Sequence, residues 1–476
     1  MWPGLAGFFI ALRTLHGRAL ALLSSGLFFG TLTGGAGCAW FWETLPLDFL
    51  GIHAPITEGL AVGITWVFVS VSLGLPVALA APWLPRLAHL RFGPLWVGFA
   101  WVLVERARMW SFALMTWGEG ASLGPNFSAS ALGYPLVDLA LFRGWAWPFG
   151  VDGLNFAVAL LASLLAHTHR GHRTWLAAIP LVVWGMSVPV VTAGTGPRTA
   201  PALEVAVLAT NEPEVLGLST AEHLRAQLMA IGARRPAVEV ILLPEELGQT
   251  ALFWNEAEAR QFFARHFAGR QVLLVNSQDP AFLGETVPAG WHHKTLTYTT
   301  TDGKALGRYR KRNLMPLGEY VPRLTRAVFA PLSDVELGHH IDSLDHGPRA
   351  TRETRMSVVE HHGLRVGALL CSDLFSGDLY RSLVRSGTPD ILVNLSNQFW
   401  FHGSRLLYAK TRQIARAHAI EHQRPFLVSN NMAPAFAVDG GGRILAESQW
   451  GQAEILYLSV TSVGATRSES VPPGAR

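Results

Sequence analysis

Long apolar runs separated by short polar loops occupy the first 195 residues of the chain. Three of these runs lack Asp, Glu, Lys and Arg and reach the roughly 20 residues that a membrane-spanning helix needs. They are residues 19–42, 59–85 and 174–197. Three weaker runs are shorter or contain charged residues, and they lie at residues 2–15, 92–117 and 153–169. The pattern therefore predicts about six transmembrane helices.

From residue 203 onward the pattern changes to short β-rich runs between amphipathic segments. LEVAVLA at residues 203–209 is typical of a buried strand, whereas residues 220–233 place Leu224, Leu228 and Ile231 on one helical face. Further strands are predicted at residues 238–243, 271–276, 306–309, 366–370, 391–395 and 426–429, and further helices at 257–267, 374–386 and 404–422. Alternating strands and helices predict an α/β domain with helices packed on a sheet.

The distribution of charge and tryptophan separates the same two regions. Residues 1–195 hold 16 charged residues, none of them lysine, and 13 of the 17 tryptophans. Tryptophan beside apolar runs is typical of the interfacial belts of membrane proteins. Half of the whole chain is hydrophobic and only 15% is charged. Soluble domains carry about a quarter charged residues, so the composition excludes a disordered or an entirely soluble protein.

Basic residues predict how the helices are oriented. In chain order, Arg13 and Arg18 lie at or after the end of the first run (residues 2–15), and Arg86 and Arg91 follow the third (59–85). HTHRGHR at residues 167–173 lies at the end of the fifth run (153–169). The intervening loops are neutral, acidic or mixed, and arginine-rich loops remain in the cytoplasm. With six helices, the region after residue 195 then lies outside the cytoplasm, whereas one run that fails to span would invert this orientation.

Two ionisable residues interrupt one of the weaker apolar runs. Glu105 and Arg108 lie three residues apart, on one face of the predicted helix. Charges inside a membrane domain are costly, so they are either functional or paired with each other. We favour an internal pair that locks two helices.

Few other features of the sequence suggest a ligand. The net charge of +4 is too small to argue for nucleic acid, and two cysteines, Cys38 and Cys371, cannot form a disulfide framework or a four-cysteine zinc site. Three adjacent histidine pairs, at residues 292–293, 339–340 and 361–362, lie in polar stretches and are expected on the solvated surface. We therefore expect no metal and no cofactor.

Three chemically active residues each follow a predicted strand. Glu245 follows VEVILLP, Lys311 follows the run at residues 306–309, and Cys371 follows VGALL. Groups at strand ends converge at one edge of a sheet, where α/β proteins form ligand sites. A carboxylate and an ammonium group beside a thiol are suited to nucleophilic catalysis, although a cysteine after a strand is more often a small buried hydrophobic residue.

The segments around these residues resemble the nitrilase superfamily and, more closely, its membrane-attached branch, the bacterial apolipoprotein N-acyltransferases. The lysine motif of that branch, K-x-x-L-V-P-F-G-E-x-V-P, is followed closely by residues 311–322. Other matching segments are PEE at 244–246, LLCSD at 369–373, NLSNQFWFHGS at 394–404, the segment at 409–431, WVLVERAR at 101–108 and the segment at 131–156. The resemblance thus covers nearly the whole chain.

The resemblance implies a polytopic α-helical membrane domain followed by an α/β nitrilase-like domain, which is an αββα sandwich. We expect about six transmembrane helices in residues 1–195, a linker at 196–201, the nitrilase-like domain at 202–460 and a C-terminal tail at 461–476. It also implies a monomer in the bacterial inner membrane, with the catalytic domain on the periplasmic side.

The implied activity is transfer of an acyl chain from a phospholipid to the N-terminal amine of a diacylglyceryl-cysteine in a lipoprotein. Cys371 would be the nucleophile that carries the acyl chain as a thioester, and Glu245 the general base. Lys311 and the backbone N–H of Ser372 would stabilise the oxyanion, while Glu319 would hold Lys311. Only one of Glu245 and Glu246 can point into the site, because adjacent side chains of an extended segment face opposite ways, and the resemblance places the base directly after Pro244.

Apolar residues near the site are candidates for binding the lipid substrates. Phe399, Trp400 and Phe401 suit that role by resemblance, and ordinary core packing is the alternative. The implied partners are therefore a phospholipid donor, a diacylglyceryl-lipoprotein acceptor and the lipid bilayer.

Two differences from the family motifs leave other functions open. Asp373 stands where the family has a glutamate, so its orienting role is in doubt, and Gln398 stands where it has an acid. These changes motivate a degenerate homologue that binds lipids or lipoproteins. Water as the acceptor would instead make the protein a membrane-tethered amidase or hydrolase. The intact set of Glu245, Lys311 and Cys371 favours an enzyme.

Overall fold

The computed structural model of the chain describes most of both regions. The described residues are 2–15, 17–48, 52–166, 202–213, 218–235, 237–247, 252–253, 256–267, 269–278, 293–329, 350, 356–461 and 464–471. The apolar run predicted at 174–197 and the predicted linker at 196–201 lie outside them.

The described residues of the N-terminal half are mainly helical. The α-helices among them are α1 (Trp2–Thr14), α2 (Ala19–Gly37), α3 (Pro55–Ala80), α4 (Leu84–Ala88), α5 (Gly93–Met115) and α6 (Val151–Ala166). Among the described helices, α2 and α3 are long and apolar enough to cross a membrane. The helix α5 spans 23 residues but contains three charged ones, and α1 and α6 are shorter. The six-helix membrane domain therefore stays a prediction.

Glycines bring α2 and α3 into backbone contact. Gly26, Gly30 and Gly34 recur every four residues along α2 and are buried. A Cβ atom on Gly30 would lie 2.8 Å from the Cα atom of Gly74 in α3. Small residues at this spacing allow the close approach that is typical of helix pairs in membranes. Neither helix can accept a larger side chain along this line.

The outward faces of the same helices are apolar. Phe28 on α2 is 68% exposed and Leu79 on α3 is 69% exposed. So many exposed large apolar side chains on two helices are uncommon on proteins that meet only water. It favours a lipid environment for α2 and α3.

The charged pair in α5 is internal, as expected. Arg108 donates to Glu105 at 2.9 Å, and both side chains are fully buried. The two residues belong to the same helix, so the ion pair itself does not link two helices as we expected.

The C-terminal half combines strands and helices. Its strands are β1 (Ala202–Thr210), β2 (Val240–Leu242), β3 (Leu273–Gln278), β4 (Thr295–Thr300), β5 (Ala305–Arg310), β6 (Val358–His361), β7 (Leu364–Leu370), β8 (Ile391–Asn397), β9 (Phe426–Asn431), β10 (Phe436–Val438), β11 (Ile444–Glu447), β12 (Glu454–Thr461) and β13 (Gly464–Val471). The α-helices in its described residues are α7 (Leu218–Arg234), α8 (Glu256–Phe267), α9 (Arg323–Phe329), α10 (Gly377–Gly387) and α11 (Arg405–His422). Strand β13 pairs with β12, so the sheet extends into the segment predicted as a tail.

The strands form two facing layers with helices outside. Hydrogen bonds connect them in the order β5-β4-β3-β2-β1-β9-β8-β7-β6. The two ends of this strand order face each other across the core. The hydroxyl of Tyr298 in β4 accepts from the N–H of Ala368 in β7 at 2.7 Å, which places the two strands in contact. Alternate residues of β1 and β2 pack inward on the facing strands or outward on α7 and α8. The layers are those of the αββα sandwich that the resemblance implied.

Polar contacts join the two halves of the molecule around the strand ends. The Arg106 guanidinium in α5 donates to Asp378 in α10 at 3.1 Å. The Tyr320 hydroxyl donates to the carbonyl of Thr116 at 2.7 Å, just after α5. The helical half is therefore seated on the edge of the sandwich where the predicted active residues lie.

Candidate active site

The fold brings together the residues predicted at the strand ends. Glu245 lies three residues after β2, Lys311 directly follows β5 and Cys371 directly follows β7. The Lys311 ammonium donates to Glu245 Oε1 at 2.8 Å and to Glu319 Oε1 at 3.0 Å. Glu245, Lys311 and Cys371 line one cavity. The predicted convergence at one edge of the sheet is what the structure shows.

The backbone at Cys371 turns sharply out of β7. Its φ angle is +38°, in the left-handed region that non-glycine residues rarely adopt. A short 3₁₀ helix (Cys371–Phe375) starts there. The amide of Asn394 donates to the Cys371 carbonyl at 3.3 Å, and the Ser396 hydroxyl lies 3.7 Å from Sγ. Strained turns of this kind persist where surrounding contacts hold them, and they cluster at active sites.

The cavity stabilises a neutral thiol beside a charged lysine at rest. Burial, and then the nearby Glu245 carboxylate, raise the pKa of the Cys371 thiol to about 12, while Lys311 acts in the opposite direction. Burial raises the pKa of Glu245, although Lys311 opposes this. A carboxylate with a raised pKa is a stronger base for removing the thiol proton.

Glu319 fixes the lysine from its other side. Its Oε1 atom accepts from Lys311 and its Oε2 atom accepts from the backbone N–H of Met315 at 2.7 Å. Burial alone would raise the pKa of Glu319, but the ammonium groups of Lys311 and Lys294 lower it to about 2. The two carboxylates that hold Lys311 therefore differ: Glu319 stays ionised, whereas Glu245 is able to take a proton.

Asp373 ties the cysteine turn to the segment that carries Lys311. Its carboxylate accepts from the Tyr309 hydroxyl at 2.9 Å and from the backbone N–H of Asn313 at 2.9 Å. Asp373 is fully buried, and the hydroxyl of Ser372 donates to the Asn313 carbonyl. The shorter side chain of Asp373 thus reaches its partners. The oxyanion role of the Ser372 N–H stays a prediction.

The three aromatic residues after β8 have different surroundings: two of them line the cavity, and one of these also packs against the helical half. They form a short 3₁₀ helix (Phe399–Phe401). Trp400 and Phe401 line the cavity. Phe401 is also buried edge-on against Trp40 of the helical half, at 5.3 Å between ring centroids. Phe399 is not among the lining residues and contacts Trp400 at 5.6 Å. A lipid-binding role for this segment stays a prediction.

The cavity has a volume of about 290 Å³, and both halves of the molecule build it. Its catalytic side carries the ionisable groups described above. Its helical side is almost entirely apolar and includes Phe41, Val62, Phe68 and Phe112. The nucleophile candidate therefore meets hydrocarbon surface supplied by the N-terminal helices.

Sequence reasoning missed a second lysine in the site and its contact with a third carboxylate beside the cavity. Lys294, just before β4, contacts Glu246 Oε1 and lies 3.1 Å from Glu319 Oε1. Glu246 Oε2 also accepts from the amide of Asn397 at 3.0 Å. Glu245 lines the cavity and Glu246 does not, although the φ angle of +66° at Glu246 departs from the extended conformation that the sequence argument assumed. The lysine in WHHKT, at the start of a strand, was the one available signal.

One group of side chains has the composition of a metal site. His418, Glu421 and His422 on α11 place their ligand atoms within 4.8 Å of one another. Arg381 already donates to Glu421 Oε1, and a guanidinium group so close disfavours a divalent cation. The expectation that the protein uses no metal stays a prediction.

The histidine pairs are only partly in the described regions. His361 is buried and contacts the carbonyl of Glu239 at 3.1 Å, so its placement on the solvated surface was wrong. His362 is exposed and pairs with the Glu239 carboxylate, and His293 is half-buried. Residues 292, 339 and 340 lie outside the described residues.

Comparison with known proteins identifies the domain that carries this site. The carbon-nitrogen hydrolase family model matches residues 219–468. An apolipoprotein N-acyltransferase of Nitrosomonas europaea is 27% identical over 432 residues, covering 89% of this chain and 79% of its own. One from Bordetella bronchiseptica is 25% identical, covering 92% and 82%. A carbon-nitrogen hydrolase structure from Helicobacter pylori covers 55% of this chain and 89% of its own, with 18% identity and a TM-score of 0.40.

Proposed function

Because the chain belongs to the carbon-nitrogen hydrolase family, we propose that it is a lipoprotein N-acyltransferase, as its relatives are named. It takes an acyl chain from a phospholipid and transfers it to the N-terminal amine of a diacylglyceryl-cysteine. Cys371 carries the acyl chain as a thioester between the two steps.

The observation that carries this proposal is the composition of the cavity. The catalytic groups on one side of the cavity face apolar side chains that the helical half contributes on the other side. An enzyme for small amides in water needs no such wall, whereas an acyl chain is bound mainly by apolar surface. The helices that supply the wall also present apolar outer faces, so one structure serves both the membrane and the substrate.

In the first step the thiol becomes the nucleophile. Glu245 takes the proton of Cys371, and the thiolate attacks the ester carbonyl carbon of the phospholipid. Lys311 and the Ser372 N–H stabilise the oxyanion that forms on the former carbonyl oxygen. The intermediate collapses, the ester C–O bond breaks, and the departing lysophospholipid oxygen takes the proton from Glu245. The thioester remains on Cys371.

In the second step the amine of the acceptor attacks the thioester carbonyl. A second tetrahedral intermediate forms at the same oxyanion position, beside Lys311. The C–S bond breaks and releases Cys371, while Glu245 accepts the proton of the amine and returns it to sulfur. The product is an amide. Water in place of the amine would give free fatty acid, which is the hydrolase alternative.

Lys311 suits the oxyanion role because of its donors. An ammonium group has three N–H bonds, and two of them are used by Glu245 and Glu319. No other acceptor among the described residues engages Lys311, so the third N–H remains for the oxyanion. Burial alone would lower the pKa of Lys311, but the Glu245 and Glu319 carboxylates raise it well above its ordinary value, so the charge persists.

The expected location and orientation follow from the charge of the loops between the apolar runs. We expect a monomer in the bacterial inner membrane, with the catalytic domain on the periplasmic side, because the arginine-rich loops between the apolar runs favour that orientation. A phosphatase fused after Arg476 should then be active and a cytoplasmic reporter at the same point silent. The opposite pattern would contradict this topology.

Mass spectrometry of a lipoprotein N-terminal peptide tests the proposal. Cells that lack the protein should contain lipoprotein with a free α-amino group, and restoring the gene should add one acyl chain to that group. An unchanged mass would reject N-acyl transfer. If the purified protein then released free fatty acid from phospholipid, the hydrolase would be the better assignment.

A further inference from the structure

Lys294 occupies the centre of a chain of charges in the active site. Its ammonium contacts Glu246 and lies 3.1 Å from Glu319, which also binds Lys311. The carbonyl of Lys294 accepts from the backbone N–H of Lys311 at 2.8 Å, so the two lysines lie on adjacent segments. The order of contacts is Glu246, Lys294, Glu319, Lys311 and Glu245.

Both carboxylates that Lys294 contacts are held from a second side. Glu246 accepts from the Asn397 amide at 3.0 Å, and Glu319 accepts from the Met315 N–H at 2.7 Å. Asn397 closes β8 next to the cysteine turn. Lys294 therefore connects the C-terminal end of β8 to the ammonium of Lys311. The first link runs through Glu246 and the second through Glu319.

Lys294 halves the net negative charge of this cluster. Three carboxylates and two ammonium groups leave one net negative charge beside a neutral thiol. Moving the thiol proton to Glu245 keeps that total unchanged. Without Lys294 the cluster carries two net negative charges around the buried Lys311, and creating a thiolate beside it costs more.

We infer that Lys294 is a positioning residue of the reaction, which orients Glu319 and Lys311 and offsets the charge of Glu246 so that the Cys371 thiolate can form. The inference rests on the thioester chemistry proposed above. Lys294 acts through its carboxylate partners, since Glu246 and Glu319 both engage its ammonium.

A second interpretation assigns Lys294 to the phosphate of the donor lipid. Its side chain lines the cavity and is 18% exposed. A phosphate contact would affect binding of the donor and leave the thiol of the free enzyme unchanged. The two interpretations therefore differ in an experiment without any lipid substrate.

Alkylation of Cys371 by iodoacetamide measures thiolate formation directly. The full-length protein in detergent is treated across a pH series, and the modified Cys371 peptide is quantified by mass spectrometry, separately from Cys38. We expect Lys294→Met to shift the alkylation curve to higher pH by about one unit, or about tenfold in rate at a fixed pH, because removing a cation raises the pKa of the thiol. Lys294→Arg should stay near wild type.

Two further variants separate charge from structure. Glu246→Gln with Lys294→Met restores one net negative charge, so the alkylation curve should return most of the way to wild type. Lys304→Met, at an exposed lysine in the β4–β5 turn, should leave the curve unchanged. If Lys294→Met alone has the wild-type curve, or if the double variant is no closer to wild type than Lys294→Met, the inference is wrong.

The readout is independent of the proposed acyl transfer. Alkylation requires neither phospholipid nor lipoprotein, so a protein that failed every transfer assay would still give a curve for each variant. A normal Lys294→Met curve together with a raised KM for phospholipid would assign Lys294 to the donor phosphate instead. If Lys294→Met does not fold, Lys294→Gln, which also lacks the charge, takes its place in the same comparisons.

Discussion

The two sides of the cavity are built in different ways. On the catalytic side, Lys311 and Glu319 are almost fully buried, and their charged atoms lie 3.0 Å apart. On the helical side, Phe68 and Phe112 contribute hydrocarbon. Buried charges require particular partners, whereas apolar surfaces tolerate changes that conserve volume. We therefore expect the catalytic side to govern rate and the helical side to govern entry of lipid.

The largest effect is expected for the nucleophile. Cys371→Ser should abolish the thioester and reduce acyl-enzyme formation, now as an oxygen ester, by at least about 1,000-fold, because a hydroxyl is a far weaker nucleophile than a thiol at neutral pH. The measurement is single-turnover transfer of label from phospholipid to protein. Cys38→Ala, in the helical half and outside the cavity lining, is the matched control. Labelled protein in Cys371→Ser at the wild-type rate would show that the nucleophile is another residue.

The difference between the two sides of the cavity also explains which residues of the site could be predicted from the sequence. Glu245, Lys311 and Cys371 were predictable because each one follows a β-rich run, and strand ends meet at one edge. Lys294 was not, because its place beside Lys311 depends on the register between β4 and β5. The contact between Glu246 and Lys294 was not predictable either, because a positive φ angle in a non-glycine residue leaves no trace in the pattern of side chains.

The helical side was predictable only in outline. Charge-free apolar runs predicted α2 and α3, and the run at residues 92–117 continues as one helix through Glu105 and Arg108, as expected. A helix that is apolar on all sides does not indicate which face is buried. The residues that line the cavity, such as Phe68, therefore needed the structure.

The second-largest effect is expected at the base. Glu245→Gln should slow thioester formation by about 100-fold, the low end of general-base contributions. Wild-type activity should fall as pH decreases through the pKa of Glu245, which burial raises although Lys311 opposes it, because only the ionised carboxylate accepts the thiol proton. The variant should lose this acid limb. The measurement is the pH profile of single-turnover thioester formation.

Glu222→Gln, at an exposed carboxylate on α7, is the control for that experiment and should keep both the rate and the acid limb. If Glu245→Gln retains the acid limb, another group supplies the base. Glu246 would then be the first residue to examine, because it lies in the same charge cluster.

A smaller effect is expected from the packing of the helical side. Gly30→Ala should lower transfer activity by about tenfold and reduce the melting temperature, since the new Cβ would lie 2.8 Å from Gly74 and separate α2 from α3. Overpacking of this kind costs about 1–3 kcal/mol. Gly7→Ala on α1, where a Cβ meets nothing within 4 Å, should not be destabilised. Equal behaviour of the two variants would show that the α2–α3 contact is not needed to shape the cavity.

The smallest effect should distinguish lipid binding from chemistry. Phe68 on α3 lines the cavity and is 46% exposed, so Phe68→Ala removes apolar surface without touching a charged group. We expect KM for the phospholipid to rise about threefold to tenfold while kcat stays near wild type, which is the size of effect that modest apolar contacts have on binding. Phe28→Ala on α2, at a residue that is 68% exposed and outside the cavity lining, is the matched control and should change neither constant. A lower kcat with an unchanged KM would mean that the helical side takes part in the chemical steps, and the division between the two sides would then fail.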